Sequence, residues 1–106
     1  MLFEDRFKLE LHRKVVEHLR VDEQPVRDTG LRNIRRMRER MHPRSYGIRW
    51  VDLWQQHLEG PLDGLVDMCL RTDELGNDMR QMSPFVGVLS EPERMEALRL
   101  SEDALV

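Results

Sequence analysis

The stretch Met79-Arg80-Gln81-Met82-Ser83-Pro84-Phe85-Val86-Gly87-Val88-Leu89-Ser90 constrains this chain more than any other. It starts as the end of one helix and finishes as the cap of the next, and the turn between them carries Phe85, Val86, Val88 and Leu89. A connection this apolar is not stable loose in water. It either closes the chain's own core or docks on a partner.

The rest of the sequence supplies helices for that turn to join. Leu, Glu, Arg and Met dominate, and the period-2 alternation of strands is nearly absent, so the expected class is all-α, a compact bundle of five to six short helices. With 106 residues, of which 6% are aromatic, there is one small core packed mainly by aliphatic and Met side chains. The expected organisation is a single domain over residues 1–100 and a frayed tail over 101–106. No apolar run approaches the roughly 20 residues that span a membrane, and no signal-peptide pattern opens the chain. The single Cys69 excludes an internal disulfide and fits a reducing compartment, so the expected location is the cytoplasm.

Residues 4–21 spell a first helix with Phe7, Leu11, Val15 and Leu19 in one stripe and Leu9 and Val16 on nearly the opposite side. A helix with two apolar stripes is central in a bundle or shared between subunits, so a homo-oligomer is one expectation. His18, beside Leu11 on the main stripe, is expected as a satisfied core or boundary histidine. Pro25 then opens a second helix over 25–41, with Leu31, Ile34, Met37 and Met41 facing in and Gly30 weakening it by roughly 1 kcal/mol relative to Ala.

The outer face of this second helix carries Arg32, Arg35, Arg36 and Arg40, within about 140° of arc at 100° per residue. Its charge belongs to a wider asymmetry. Residues 25–49 hold eight Lys or Arg against two Asp or Glu, a net +6, whereas residues 50–106 hold four against twelve, a net −8. Such a split marks a nucleic-acid face, a charge-paired protein interface, or internal neutralisation between the halves. No aromatic is interleaved with these arginines, which disfavours single-strand recognition.

A loop over 42–47 leads to a third helix over 48–59, whose Trp50 and Trp54 lie four apart and can share a face. Gly60-Pro61 stops that helix and restarts the chain in a fourth over about 61–71 with Leu62, Leu65, Val66, Cys69 and Leu70 inside. Cys69 on that stripe is a small hydrophobe. Thr72 is expected to cap a fifth helix bearing Leu75, Met79 and Met82, with Asp73 and Glu74 in its first turn. Ser90 and Glu93 form a capping box for a last helix with Met95 and Leu98.

Reaction chemistry is not evident. His12, His18, His42 and His57 have no Cys or carboxylate grouping at metal-ligand spacing, and there is no Gly-rich phosphate loop, nucleophile elbow or serine with an obvious base. No catalysis, cofactor or metal is expected.

Three segments carry a resemblance: Trp54-Gln-Gln-His-Leu-Glu-Gly-Pro-Leu-Asp-Gly-Leu, then Leu-Arg-Thr-Asp-Glu, then Met-Arg-Gln-Met-Ser-Pro-Phe-Val-Gly-Val-Leu-Ser-Glu-Pro-Glu-Arg94. Together they resemble the C-terminal half of small helical actinobacterial proteins encoded beside nucleotidyltransferase-like toxins. Leu11-His12-Arg13 and the helix around Asn33 are similar to the N-terminal part of the same proteins. The resemblance spans nearly the whole chain, and Gly-Pro and Ser-Pro-Phe-x-Gly-x-Leu are its most specific motifs. It implies an antitoxin or regulator component, a non-catalytic module that inhibits a partner enzyme by binding. Those proteins often carry a helix-turn-helix segment elsewhere, and no additional DNA-binding domain is evident here.

On that reading Phe85, Val88 and Leu89 form an apolar anchor for the partner and Arg32, Arg35, Arg36 and Arg40 an electrostatic one. The alternatives are that Phe85 and Leu89 fill the core beneath the fourth helix, and that the arginine helix makes a small DNA-binding regulator.

Overall fold

The computed structural model describes residues 2–103. They form six α-helices: α1 (Phe3–Val21), α2 (Glu23–Arg40), α3 (Ile48–Leu58), α4 (Leu62–Leu70), α5 (Glu74–Gln81) and α6 (Glu91–Asp103). There is no strand among the described residues, and the all-α expectation holds. The Cα radius of gyration is 13.5 Å, close to the ~13 Å of a compact domain of about 100 residues.

The two stripes of α1 explain its place. It is the central helix, packed against α2, α4, α5 and α6. Leu9, Val15, Val16 and Leu19 are all buried, so most of both stripes is covered inside a single chain, whereas Phe7 and Leu11 of the main stripe are only half-buried. Around α1, helices α3, α4 and α5 also pack on one another, and α3 lies along α2. Trp54 sits fully buried at the middle, its indole Nε1 donating to the Met79 carbonyl at 2.8 Å. Trp50 shares its face but is only half-buried, at the edge of the same core.

Several local expectations are corrected. Helix α2 begins at Glu23, two residues before Pro25, which falls within the first turn where a missing N–H costs no hydrogen bond. Gly30 is buried, and a Cβ there would stand 2.8 and 2.9 Å from the Leu58 methyls. It sets the close approach of α2 and α3. The cap of α5 is Asp73, whose carboxylate accepts from Gly76 N at 3.0 Å, and not Thr72. The capping box of α6 forms as expected: Ser90 Oγ accepts from Glu93 N at 3.3 Å and Glu93 Oε1 accepts from Ser90 N at 3.0 Å. Met95 on α6 is exposed, and it is Ala97 and Ser101 that are buried on this helix. The helix runs through Asp103 with Ser101 fully buried, so residues 101–103 belong to α6 and not to the expected frayed tail; residues 104–106 lie outside the described residues.

Two buried arginines finish two helices. Arg27 Nη1 donates to the carbonyl of Leu58 at 2.8 Å, and at 3.5 Å to that of His57, at the C-terminal end of α3. Arg80 Nη1 donates to the carbonyls of Cys69 at 3.0 Å and Arg71 at 2.7 Å, at the C-terminal end of α4. Each places a cation where the helix dipole is negative and satisfies carbonyls that the helix leaves open.

Candidate functional site: an arginine face and an arched cleft

Helix α2 packs its inner side on α1 and α3 through Val26, Gly30 and Ile34, and this fixes its other side outward. Arg32, Arg35, Arg36 and Arg40 are all exposed. None lies within 4.0 Å of a carboxylate among the described residues; the polar contact of Arg32 is the Thr29 hydroxyl at 3.3 Å. Internal neutralisation of the basic segment stops with Arg27, paired to Glu23 at 2.9 Å, and Arg38, paired to Asp52 at 2.7 Å. Asp28 and Glu39 are exposed on the same helix and lower the net charge of the face without ion-pairing to it. From Arg32 to Arg40 the four guanidinium groups rise roughly 12 Å along the axis.

Two further features lie in the segments on either side of this face in the chain. Beyond the C-terminus of α2, Tyr46 is 69% exposed and the Arg49 guanidinium lies 3.9 Å from its ring centroid, with Trp50 edge-on at 6.2 Å. This cation–aromatic pair follows the arginine helix in the chain, and no aromatic is interleaved with the four arginines in sequence. Near the N-terminus of α2, Pro25 and Thr29 line a cleft of about 310 Å³ shared with Val21 and Val88. Val21 is 88% exposed, so the cleft presents apolar surface beside the charge.

Residues 83–89 form an arch over α1. Gly87 holds the third position of the Phe85–Val88 turn at φ +91°, a conformation that favours glycine, and Val88 N donates to the Phe85 carbonyl at 3.1 Å. Asn33 of α2 clamps the arch, its Nδ2 donating to the carbonyls of Pro84 and Val86, both at 2.8 Å. Phe85 points inward, 5% exposed, edge-on to Trp54 at 5.3 Å and to His12 at 5.8 Å. The Phe85 anchor is therefore corrected: its ring is core and is not offered to a partner. Val88 and Leu89 are half-buried against the core, Val88 lining the smaller cleft and Leu89 a larger one of about 570 Å³. Val86 is the residue of the arch that faces out, at 76% exposed.

Beneath the arch lies a pair that no sequence spacing announces. His12 and Ser83 are 71 residues apart, yet Ser83 Oγ and His12 Nε2 are 2.8 Å apart. His12 Nδ1 lies 2.6 Å from the Lys8 carbonyl, which can only accept, so Nδ1 carries the proton and Nε2 accepts from the serine hydroxyl. Burial pulls the His12 pKa down to about 4, so the ring is neutral at pH 7 and weakly basic. Ser83 Oγ also receives the Phe85 N–H at 3.3 Å. The orientation is that of a hydroxyl–imidazole dyad, but its basicity suits a buried clasp holding the arch to α1 better than proton abstraction.

Other groups are chemically quiet. Cys69 is fully buried and its thiol is pushed up to about 12 by burial, which keeps it protonated. Among the described residues no group of His, Cys, Asp and Glu is arranged to hold a metal, and no helix is long and apolar enough to cross a membrane. No protein-family model, curated protein or solved structure matches the chain.

Proposed function

We propose that the chain is a non-catalytic binding module that docks on an acidic protein partner through the outer face of α2, acting as the antitoxin-like component of a toxin–antitoxin pair. The observation that carries the docking role is the set of four exposed arginines without a carboxylate partner. An unpaired guanidinium cluster raises the local potential, speeds encounter with an acidic surface and excludes basic ones. The cleft at Val21 and Val88 supplies apolar contact next to it, so charge and burial act on one side of the molecule. The choice of an inhibited enzyme, such as a nucleotidyltransferase-like toxin, comes from the resemblance of the 54–94 segments to antitoxin-like proteins. Covering the enzyme's active site, or holding it in an inactive form, is the corresponding mechanism.

The test is capture of partners by the tagged protein from nuclease-treated host lysate, followed by assay of the captured enzyme with and without added chain. A stoichiometric protein partner whose activity falls on addition supports the module. Recovery of the chain alone contradicts it.

One observation favours a second reading, a nucleic-acid-binding regulator. The exposed Tyr46 under Arg49 adds an aromatic surface and a further cation to the basic segment. Duplex binding through this face would weaken steeply with salt, the logarithm of affinity falling roughly in proportion to the number of phosphates neutralised. Nuclease-sensitive recovery without a protein partner would transfer the function to this reading.

A further inference from the structure

The cleft under the arch is independent of the arginine face and has a different chemistry. Its volume, about 570 Å³, lies within the usual range of small-molecule sites. Its walls are aliphatic and aromatic, with Leu11 and Val15 of α1 on one side and Phe85 and Leu89 of the arch on the other. Three cations line it, Lys8, Arg80 and Arg94, and no carboxylate does, in a chain that carries 20 acidic residues against 17 basic ones.

Each cation is held differently. Arg80 is 2% exposed, and its guanidinium meets only neutral acceptors: the two carbonyls at the end of α4 and Asn77 Oδ1 at 2.9 Å. Its Nε is buried with no hydrogen-bond partner among the described residues. It is a fixed positive charge in the cleft wall. Lys8 donates to the neutral Gln81 side chain, and Arg94 comes no nearer than 4.0 Å to Glu91. Both can turn toward a guest with little to give up.

We propose that this cleft binds a small organic carboxylate, with its apolar chain or ring against Leu11 and Leu89 and its carboxylate between Lys8 and Arg94. Apolar walls select a hydrophobic body, and a cationic lining free of acids selects an anionic head. Arg80 adds long-range attraction from beneath without moving. The proposal does not rest on the docking role of α2.

Octanoate is the probe, titrated into the full-length protein and followed by backbone amide NMR, with octanol and inorganic phosphate as controls. Saturable shifts confined to residues 8–15 and 80–94 are expected, with octanol binding roughly tenfold more weakly for want of the charge-assisted hydrogen bonds. Two solvent-reaching substitutions together, Lys8→Gln and Arg94→Gln, should weaken octanoate by about tenfold and leave octanol unchanged. Leu11→Trp, which fills the cleft, should abolish binding while helicity is retained. Octanol or inorganic phosphate binding as tightly as octanoate overturns the proposal. So does octanoate binding that survives the paired substitution, shifts centred on α2, or the absence of saturable shifts.

Discussion

Truncating Phe85 to alanine removes a ring wedged between Trp54 and His12 and leaves a cavity beneath the arch. The expected loss is about 3–5 kcal/mol, a large part of the stability of a domain this size. Urea unfolding followed by tryptophan fluorescence measures it, and an unchanged midpoint would return Phe85 to the surface. His12 gives a separate signature. Its pKa falls from an ordinary 6.5 to about 4 on folding, so the unfolded chain binds the proton more tightly. The stability from keeping this ring neutral is complete above pH 6.5 and is lost as pH falls toward 4, about 3 kcal/mol in total. His57, also lowered by burial, adds in the same sense. The Asp73 carboxyl, held low by its hydrogen bond from Arg71, titrates below this window. Unfolding midpoints between pH 7 and 4.5 should therefore slope downward with acid, and His12→Gln should flatten most of that slope.

At the scale of elements, the glycines separate packing from propensity. A Cβ on Gly76 would stand 2.1 Å from the Arg71 carbonyl oxygen, a backbone atom that also accepts from Arg80. Gly64, in the first turn of α4, has only ordinary contacts, the nearest 3.6 Å to His57 Nδ1. Gly76→Ala should therefore destabilise by at least about 2 kcal/mol, whereas Gly64→Ala should stabilise by roughly 0.5–1 kcal/mol through helix propensity. Thermal unfolding of the two variants checks the opposite signs. The helices themselves were legible because their apolar residues recur with the period of an amphipathic helix and because Pro25, Gly60-Pro61 and Ser90-Glu93 punctuate them. Their partners were not. Arg80 caps α4 from the next helix and Arg27 caps α3 from the preceding one, and both look in sequence like any surface arginine. The Ser83–His12 contact joins positions whose spacing carries no period. The apolar content of the arch showed that it must be covered, but not whether its own chain or a partner covers it; Trp54 decides that for Phe85.

On the scale of the whole molecule, charge is distributed unequally between inside and outside. The core helix α1 has most of both its stripes covered by neighbours, while the basic segment retains six arginines without a carboxylate partner among the described residues, four of them on the outer face of α2. Folding therefore leaves the predicted electrostatic anchor free and takes Phe85 from the apolar one. On the proposed docking reading, the surface left to a partner is the charged face of α2 with the Val21–Val88 cleft at its N-terminal end. Arg32, Arg35, Arg36 and Arg40 are exposed and unpaired, so replacing all four with Gln should leave the fold intact. The direct measurement is capture from nuclease-treated host lysate by this quadruple variant and the wild-type chain in parallel, with far-UV circular dichroism to match their folds. The expected result is a stoichiometric protein partner on the wild-type chain that is lost from the variant. Equal recovery of that partner by both chains would contradict it and remove α2 as the docking face.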